Sequence, residues 1–263
     1  IVGTGAGGGT IGFALAKKGL KVLFVEKGLS NNRQKDLRGK YTEAFKLKNP
    51  KNIPWKTLLK QSGRDFEKIL ESNSSKIPFI GAGVGGSTAL FGMAMERFNR
   101  IDFVQRPMTK LNKSSTLPPD GWPISFEDLL PYYKQAEVIY KVKGTEDPLK
   151  TNESFGYNLP PKICGANQEL FEFFNKKMVN PYVLPRSCEF VPGCNECQGF
   201  LCSLNCKNDS NNICIQPAIN NYNAELLTGV TVTKINVRGN KVTGIECIDK
   251  NNVLNIKMDI LIL

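Results

Sequence analysis

Ile1-Val-Gly-Thr-Gly-Ala-Gly-Gly-Gly-Thr10 opens the chain, followed by Ile11-Gly-Phe-Ala-Leu-Ala16, then Val22-Leu-Phe-Val25 and Glu26-Lys27-Gly28. Two β-branched residues precede the glycines, apolar residues at helical spacing (Ile11, Ala14, Leu15) follow them, and Gly19 separates these from a second apolar run. The pattern predicts a strand, a glycine turn, a helix and a strand within 30 residues. Gly3-x-Gly5-x-x-Gly8 then lies in the strand-to-helix setting that gives it meaning as a dinucleotide fingerprint. Gly3 permits the tight turn, Gly5 lets a pyrophosphate approach the backbone, and Gly8 lets the helix pack closely on the strand. The pyrophosphate would lie at the helix N-terminus, where unpaired N–H groups and the helix dipole favour negative charge. Glu26 ends the second strand, placed to accept hydrogen bonds from the adenosine ribose hydroxyls. A glycine-rich turn without a ligand is the plainer alternative, and the coincidence of all four parts weighs against it.

Working outward, 263 residues leave room for one large domain or two modest ones. With 41% hydrophobic and 22% charged residues, the chain reads as neither disordered nor membrane-embedded. No apolar run approaches the roughly 18 residues of a spanning helix, so no transmembrane segment is expected in it. There is no histidine, so a mechanism that needs an imidazole must draw it from elsewhere. Residue 1 is Ile, and a predicted strand beginning at Ile260 runs to Leu263, so the chain reads as an excerpt cut at both ends. The net charge of +11 is uneven, with ten basic residues between Asn31 and Arg64 against Asp36 and Glu43. Few aromatics interrupt that stretch, so it reads as a solvated Lys-rich excursion and no nucleic-acid partner is expected.

A second glycine cluster, Gly81-Ala-Gly-Val-Gly-Gly-Ser-Thr88, leads into the small-residue run Ala89-Leu-Phe-Gly-Met-Ala94. Helices are expected around Trp55–Lys60 and Phe66–Leu70. Ser125 caps a turn with Asp128, and Pro131 is expected to start a further helix. Gln168–Lys177 and Pro217–Tyr222 also read as helical. Three short strands follow, Val230–Val237, Lys241–Ile248 and Val253–Lys257, joined by turns at Arg238-Gly-Asn240 and Lys250-Asn-Asn252. Six of eight cysteines lie between Cys188 and Cys214, four of them spaced Cys194-x2-Cys197-x4-Cys202-x3-Cys206. An iron–sulfur centre, an all-cysteine zinc site, disulfides and packed thiols all fit that spacing.

Several of these segments together carry a resemblance. Gly83-Val-Gly-Gly-Ser-Thr88, Glu96-Arg97-Phe98, Gly121-Trp-Pro-Ile-Ser-Phe-Glu-Asp-Leu-Leu-Pro-Tyr-Tyr133, Ala136-Glu137, Cys194–Cys206 with Lys207, and Leu227-Thr-Gly-Val-Thr-Val-Thr-Lys-Ile235 resemble the glucose–methanol–choline (GMC) oxidoreductases. These are flavoenzymes that oxidise alcohols and sugars. The resemblance implies an α/β fold: a Rossmann-like FAD-binding domain with a β-meander crossover, and part of a substrate-binding lobe. The expected division is 1–105 for the first part of the FAD domain, 106–190 for a loop-rich cap lobe, and 191–263 for the cysteine-rich segment and return to the FAD domain.

Carried over residue by residue, FAD would meet Gly3, Gly5 and Gly8 at the pyrophosphate and Glu26 at the ribose. Gly85, Gly86, Ser87 and Thr88 would lie along the pyrophosphate and flavin, and the Val232 backbone would meet the adenine. Small residues at 85–88 let main-chain N–H groups approach anionic oxygens. Phe91 stands where many relatives carry Asn or His near the flavin, and the family's catalytic His lies in a C-terminal region this chain does not reach. No catalytic residue is therefore named.

The implied activity is FAD-dependent oxidation of a CH–OH group of a small alcohol or sugar, with hydride transfer to flavin N5. The electron acceptor is open, with a quinone or cytochrome weakly preferred to oxygen by analogy with relatives having a similar Cys-rich segment. Some bacterial sugar dehydrogenases of the family hold an iron–sulfur cluster in that segment, while many members carry such cysteines with no recognised metal. The alternatives are an NAD(P)-dependent Rossmann enzyme, which leaves the second glycine cluster unexplained, and a truncated nucleotide-binding product without chemistry. Location is open, a cytoplasmic one being weakly favoured over a periplasmic one.

Overall fold

The computed structural model describes residues 1–30, 81, 83–104, 122–150, 153–199, 201–250 and 252–263. The helices expected around Trp55–Lys60 and Phe66–Leu70 lie outside the described residues. Two compact units form, one from Ile1–Met93 and Cys188–Leu263, the other from Ala94–Ser187.

In the first unit, helix α1 (Ala6–Lys17) follows the glycine turn and leads to strand β1 (Leu23–Glu26). The two pack through Gly12, where a Cβ would stand 2.2 Å from the ring of Phe24, a side chain with no solvent exposure. Strand β2 (Glu225–Thr228) pairs in parallel with β1, Leu23 opposite Glu225 and Glu26 opposite Thr228. On the other side of β1, Val2 makes a single parallel bridge to Val25 and donates its N–H to Ile262 O at 2.9 Å. The strand expected from Ile260 is therefore not formed; one main-chain bond is short of the repeated pairing that makes a ladder. The core beneath contains Ala16, Val22, Phe24, Val84, Ile215 and Ala218. Each large apolar side chain so buried contributes about 1.5–3 kcal/mol.

A π-turn at Asn211–Ile215 runs into helix α2 (Gln216–Tyr222), whose Pro217 falls where no intrahelical N–H bond is lost. Strands β3 (Val230–Arg238), β4 (Lys241–Asp249) and β5 (Asn252–Lys257) make an antiparallel meander in that order. Gly239 (φ 60°) and Lys250 (φ 55°) adopt the left-handed conformation of the connecting turns. The meander packs Val230, Ile245 and Cys247 against Val25, which joins it to the parallel strands.

The second unit is built around helix α3 (Phe126–Ile139). Ser125 and Asp128 form a reciprocal capping box: Asp128 N donates to Ser125 Oγ at 3.1 Å and Ser125 N to Asp128 Oδ2 at 2.9 Å. Pro131 does not start a separate helix. It lies inside α3, where its ring removes one hydrogen bond near the N-terminus, and the capped first turn carries the helix through. Helix α4 covers Gly165–Lys176. Arg97 is buried and bidentate on Glu137, with Nε to Oε1 at 2.6 Å and Nη2 to Oε2 at 2.8 Å, and its guanidinium lies 4.2 Å from the Phe155 ring centre. Ser154 O accepts from Arg97 Nη2 at 3.0 Å, and Gly156 N donates to Glu137 Oε2 at 2.6 Å, so the ion pair ties the 153–156 strand of loop to α3.

Candidate functional site

The first glycine turn is fixed by its main chain. Gly3 has φ 89°, open to glycine alone at low cost, and donates its N–H to Val25 O at 2.8 Å. A Cβ on Gly8 would stand 2.2 Å from Gly3 O, so the helix start and the strand end touch through backbone. Gly5 is the N-cap of α1 and offers no side chain to the orphan N–H groups of the first turn; a Cβ there would meet nothing within 4 Å. The helix thus presents uncapped N–H groups to open space, which is what a dinucleotide pyrophosphate requires, and the cradle fits that group.

Glu26 stands at the end of β1 with 8% exposure. Its Oε2 accepts from Thr4 N at 2.9 Å and Thr4 Oγ1 at 2.6 Å, and its Oε1 accepts from Gly28 N at 2.8 Å. A carboxylate has about four acceptor positions. Among the described residues three of these are used to hold the turn.

The second glycine cluster lies against the first. Gly85 N donates to Thr4 Oγ1 at 3.2 Å, and a Cβ on Gly86 would come within 2.9 Å of Gly5 Cα. Gly85 (φ 98°) and Gly86 (φ 52°) both sit in the left-handed region as the chain enters a 3-10 turn at Gly86–Ala89. Ser87 Oγ accepts from Gly81 N at 3.1 Å, and Thr88 Oγ1 donates to Gly85 O at 2.6 Å. Both hydroxyls thus shape the loop, and what the loop can offer an anion is main-chain N–H.

A third segment, unnoticed in the sequence reading except for Lys207, locks the other two. Ser210 N donates to Thr88 Oγ1 at 2.9 Å, and Ser210 Oγ lies 2.9 Å from Thr4 O and 3.0 Å from Gly5 O. A Cβ on Gly9 would stand 1.9 Å from that hydroxyl, so Gly9 exists to admit Ser210. Lys207 is fully buried, its Nζ donating to Ala89 O at 3.1 Å and Phe91 O at 3.0 Å. The only signal for Thr4 and Ser210 was their place in or beside quoted motifs. Val232 is half-buried in β3 beside a break in the ladder: Val232 pairs with Cys247 and Lys234 with Glu246, so Thr233 is an extra, bulged residue. A bulge frees main-chain groups at that point of the strand.

No disulfide joins any of the eight cysteines. Cys194, Cys202 and Cys206 lie together as spaced in the sequence, and Cys188 joins them. Burial pushes the Cys188 and Cys197 thiols up to about 11 each, while main-chain N–H groups around Cys202 outweigh its burial and lower it.

The sequence profile of the GMC oxidoreductases matches residues 123–261. The chain belongs to the GMC oxidoreductase family. It has the family's α/β FAD-binding fold, and in GMC oxidoreductases this N-terminal domain is the FAD-binding one. The chain is 24% identical over 263 residues to paromamine 6'-oxidase of Streptomyces fradiae, covering 95% of this chain and 43% of that protein. It is 26% identical over 184 residues to the oxygen-dependent choline dehydrogenase of Staphylococcus saprophyticus, covering 62% and 27%. With 2-methyl-1,2-propanediol dehydrogenase of Mycolicibacterium austroafricanum it shares 25% identity over 144 residues, 55% and 24% of the two chains. The chain thus spans a quarter to under half of the length of these relatives. Among solved structures, pyridoxine 4-oxidase from Mesorbium loti superposes with TM-score 0.50 at 17% identity, covering 98% of this chain and 47% of that one.

Proposed function

We propose that the chain is the FAD-binding part of a GMC oxidoreductase that oxidises a CH–OH group of a small alcohol or sugar. The observation that carries this is the meeting of two glycine clusters some 80 residues apart, main chain against main chain at Gly5 and Gly86 with the Thr4 hydroxyl between them. A single dinucleotide turn needs only the first cluster; a second, backbone-lined loop on the same helix end suits the longer FAD molecule.

When bound, FAD supplies a hydride acceptor at its flavin ring. The protein's part is positioning. The first turn of α1 would hold the pyrophosphate, Glu26 one ribose hydroxyl through its remaining acceptor site, Gly85 and Gly86 the pyrophosphate and flavin through main-chain N–H, and the Val232 backbone the adenine. Ser87, Thr88 and Ser210 keep those groups in place from behind. In this reading the cofactor domain comprises 1–105 and 191–263, and 106–190 forms the cap lobe.

The test is the absorption spectrum of the full-length protein and of its Gly86→Ala variant. A yellow protein with flavin bands, bleached by an alcohol or sugar, is expected, with the variant losing most of its flavin. A colourless protein that takes up NAD(P) instead of FAD would sink the proposal. Reoxidation by oxygen against a quinone analogue then identifies the acceptor.

A further inference from the structure

The loop between Cys188 and Lys207 closes on itself, Cys188 bridging Lys207 and Glu189 N donating to Cys206 O at 2.8 Å. Inside it no helix or strand forms among the described residues, and Phe190, Glu196 and Asn205 adopt left-handed conformations that only a surrounding constraint holds. The thiols occupy its centre. Cys188 Sγ lies 3.8 Å from Cys194 Sγ, Cys194 Sγ 3.4 Å from Cys206 Sγ, and Cys206 Sγ 3.3 Å from Cys202 Sγ. The sulfurs of Cys188, Cys194 and Cys206 all lie within 4.8 Å of one another.

We infer that Cys188, Cys194 and Cys206 hold one thiophilic metal ion, zinc(II), as a clip, with Cys202 next to Cys206 but outside the trio of sulfurs that can share one ion. A triangle with sides of 3.8, 3.4 and at most 4.8 Å has a circumscribed radius of about 2.4 Å at its widest, and a zinc–thiolate bond is about 2.3 Å. One ion can therefore bond all three sulfurs where they stand.

Competing uses of the same thiols fit less well. Disulfides would take these sulfurs in pairs, Cys188 with Cys194 and Cys202 with Cys206, and would leave the 3.4 Å approach of Cys194 to Cys206 without a role. In a three- or four-iron cluster each thiolate binds a different iron, which holds the ligand sulfurs well apart; these are in contact. Glu196 N lies 3.4 Å from Cys194 Sγ, a main-chain donor of the kind that orients a metal-bound thiolate. Binding releases the thiol protons to water as each sulfur bonds the ion, and soft thiolates favour zinc over hard cations. The clip would hold the segment whose Lys207 fixes the carbonyls of Ala89 and Phe91, so it acts on the second glycine loop from behind.

The experiment is elemental analysis and zinc-edge X-ray absorption on the full-length protein purified without added chelator. Expected are about one zinc per chain and a shell of sulfur neighbours at about 2.3 Å. Cys194→Ser and Cys206→Ser should each lose the ion, while Cys164→Ser, exposed in the other unit, should keep it. The wild-type measurement stands even if a serine variant fails to fold. Metal-free protein, two of these cysteines joined as a disulfide, or iron accompanied by inorganic sulfide would each overturn the inference.

Discussion

Gly9→Ala and Ser210→Ala should each destabilise the protein, and together they should cost less than their sum. The Gly9→Ala methyl would stand 1.9 Å from Ser210 Oγ, 3.3 Å from Ser210 Cβ and 3.4 Å from Ile215 Cδ1. Ser210 is fully buried, so its hydroxyl can only swing away from Thr4 O and Gly5 O. Overpacking of this kind costs about 1–3 kcal/mol and the lost hydrogen bonding about 0.5–1.5, offset by about 1 for replacing glycine within a helix. The net is about 1–3 kcal/mol, or about 3–10 °C in the unfolding temperature of a unit of this size. Ser210→Ala alone loses the hydroxyl and leaves two carbonyls underused, about 1–3 kcal/mol. In the double variant the 1.9 Å clash is gone, the remaining contacts are ordinary or slightly tight, and the helix keeps its gain. The pair should therefore be no less stable than Ser210→Ala, a coupling of about 1–3 kcal/mol. Thermal unfolding of the four full-length proteins reads this directly. Additive losses would refute the claim that Gly9 is glycine because of Ser210.

Glu26→Gln must turn an amide N–H₂ toward either the Thr4 donors or Gly28 N, costing about 1.5–3 kcal/mol of charge-assisted bonding, and FAD affinity measured by fluorescence titration should fall with it. Arg97→Met strands the Glu137 carboxylate in a buried site and should cost about 3–5 kcal/mol, whereas the Arg97→Met/Glu137→Met pair should recover most of this in denaturant melts. The capping bonds from the Ser125 main chain and hydroxyl hold the Asp128 carboxyl below its ordinary range. A depressed folded pKa contributes stability above the unfolded value that is lost as pH falls through the folded one, so helix α3 should loosen only in acid. Ser125→Ala should move the Asp128 titration midpoint up, as read by side-chain carbon NMR.

What could be read ahead of the structure was local. The strand, turn, helix and strand of residues 1–26 follow from one glycine pattern between apolar runs, and the meander from three β-branched segments punctuated by Gly239 and Lys250. The Ser125 and Asp128 capping box was visible because both halves lie within one turn. Strand β2 was missed: Glu225-Leu-Leu-Thr228 is four residues without alternation, and what makes it a strand is the edge that β1 presents. The helix start expected at Pro131 falls instead at Phe126, because proline's cost is small where an N-terminal cap already holds the first turn. Contacts that close the candidate site join residues 81 and 206 positions apart, such as Gly85 with Thr4 and Ser210 with Thr4, and no periodicity encodes those.

The Ser210 lock also sets a schedule. The amino-terminal turn emerges from the ribosome first, yet the hydroxyl that fastens its carbonyls and the Ile215 and Ala218 side chains that cover Phe24 are translated some 200 residues later. At about 5–20 residues per second that is a wait of roughly 10–40 s, during which the glycine turn and Phe24 lack these later partners. The two glycine turns are therefore fastened to each other only once residue 210 has been made.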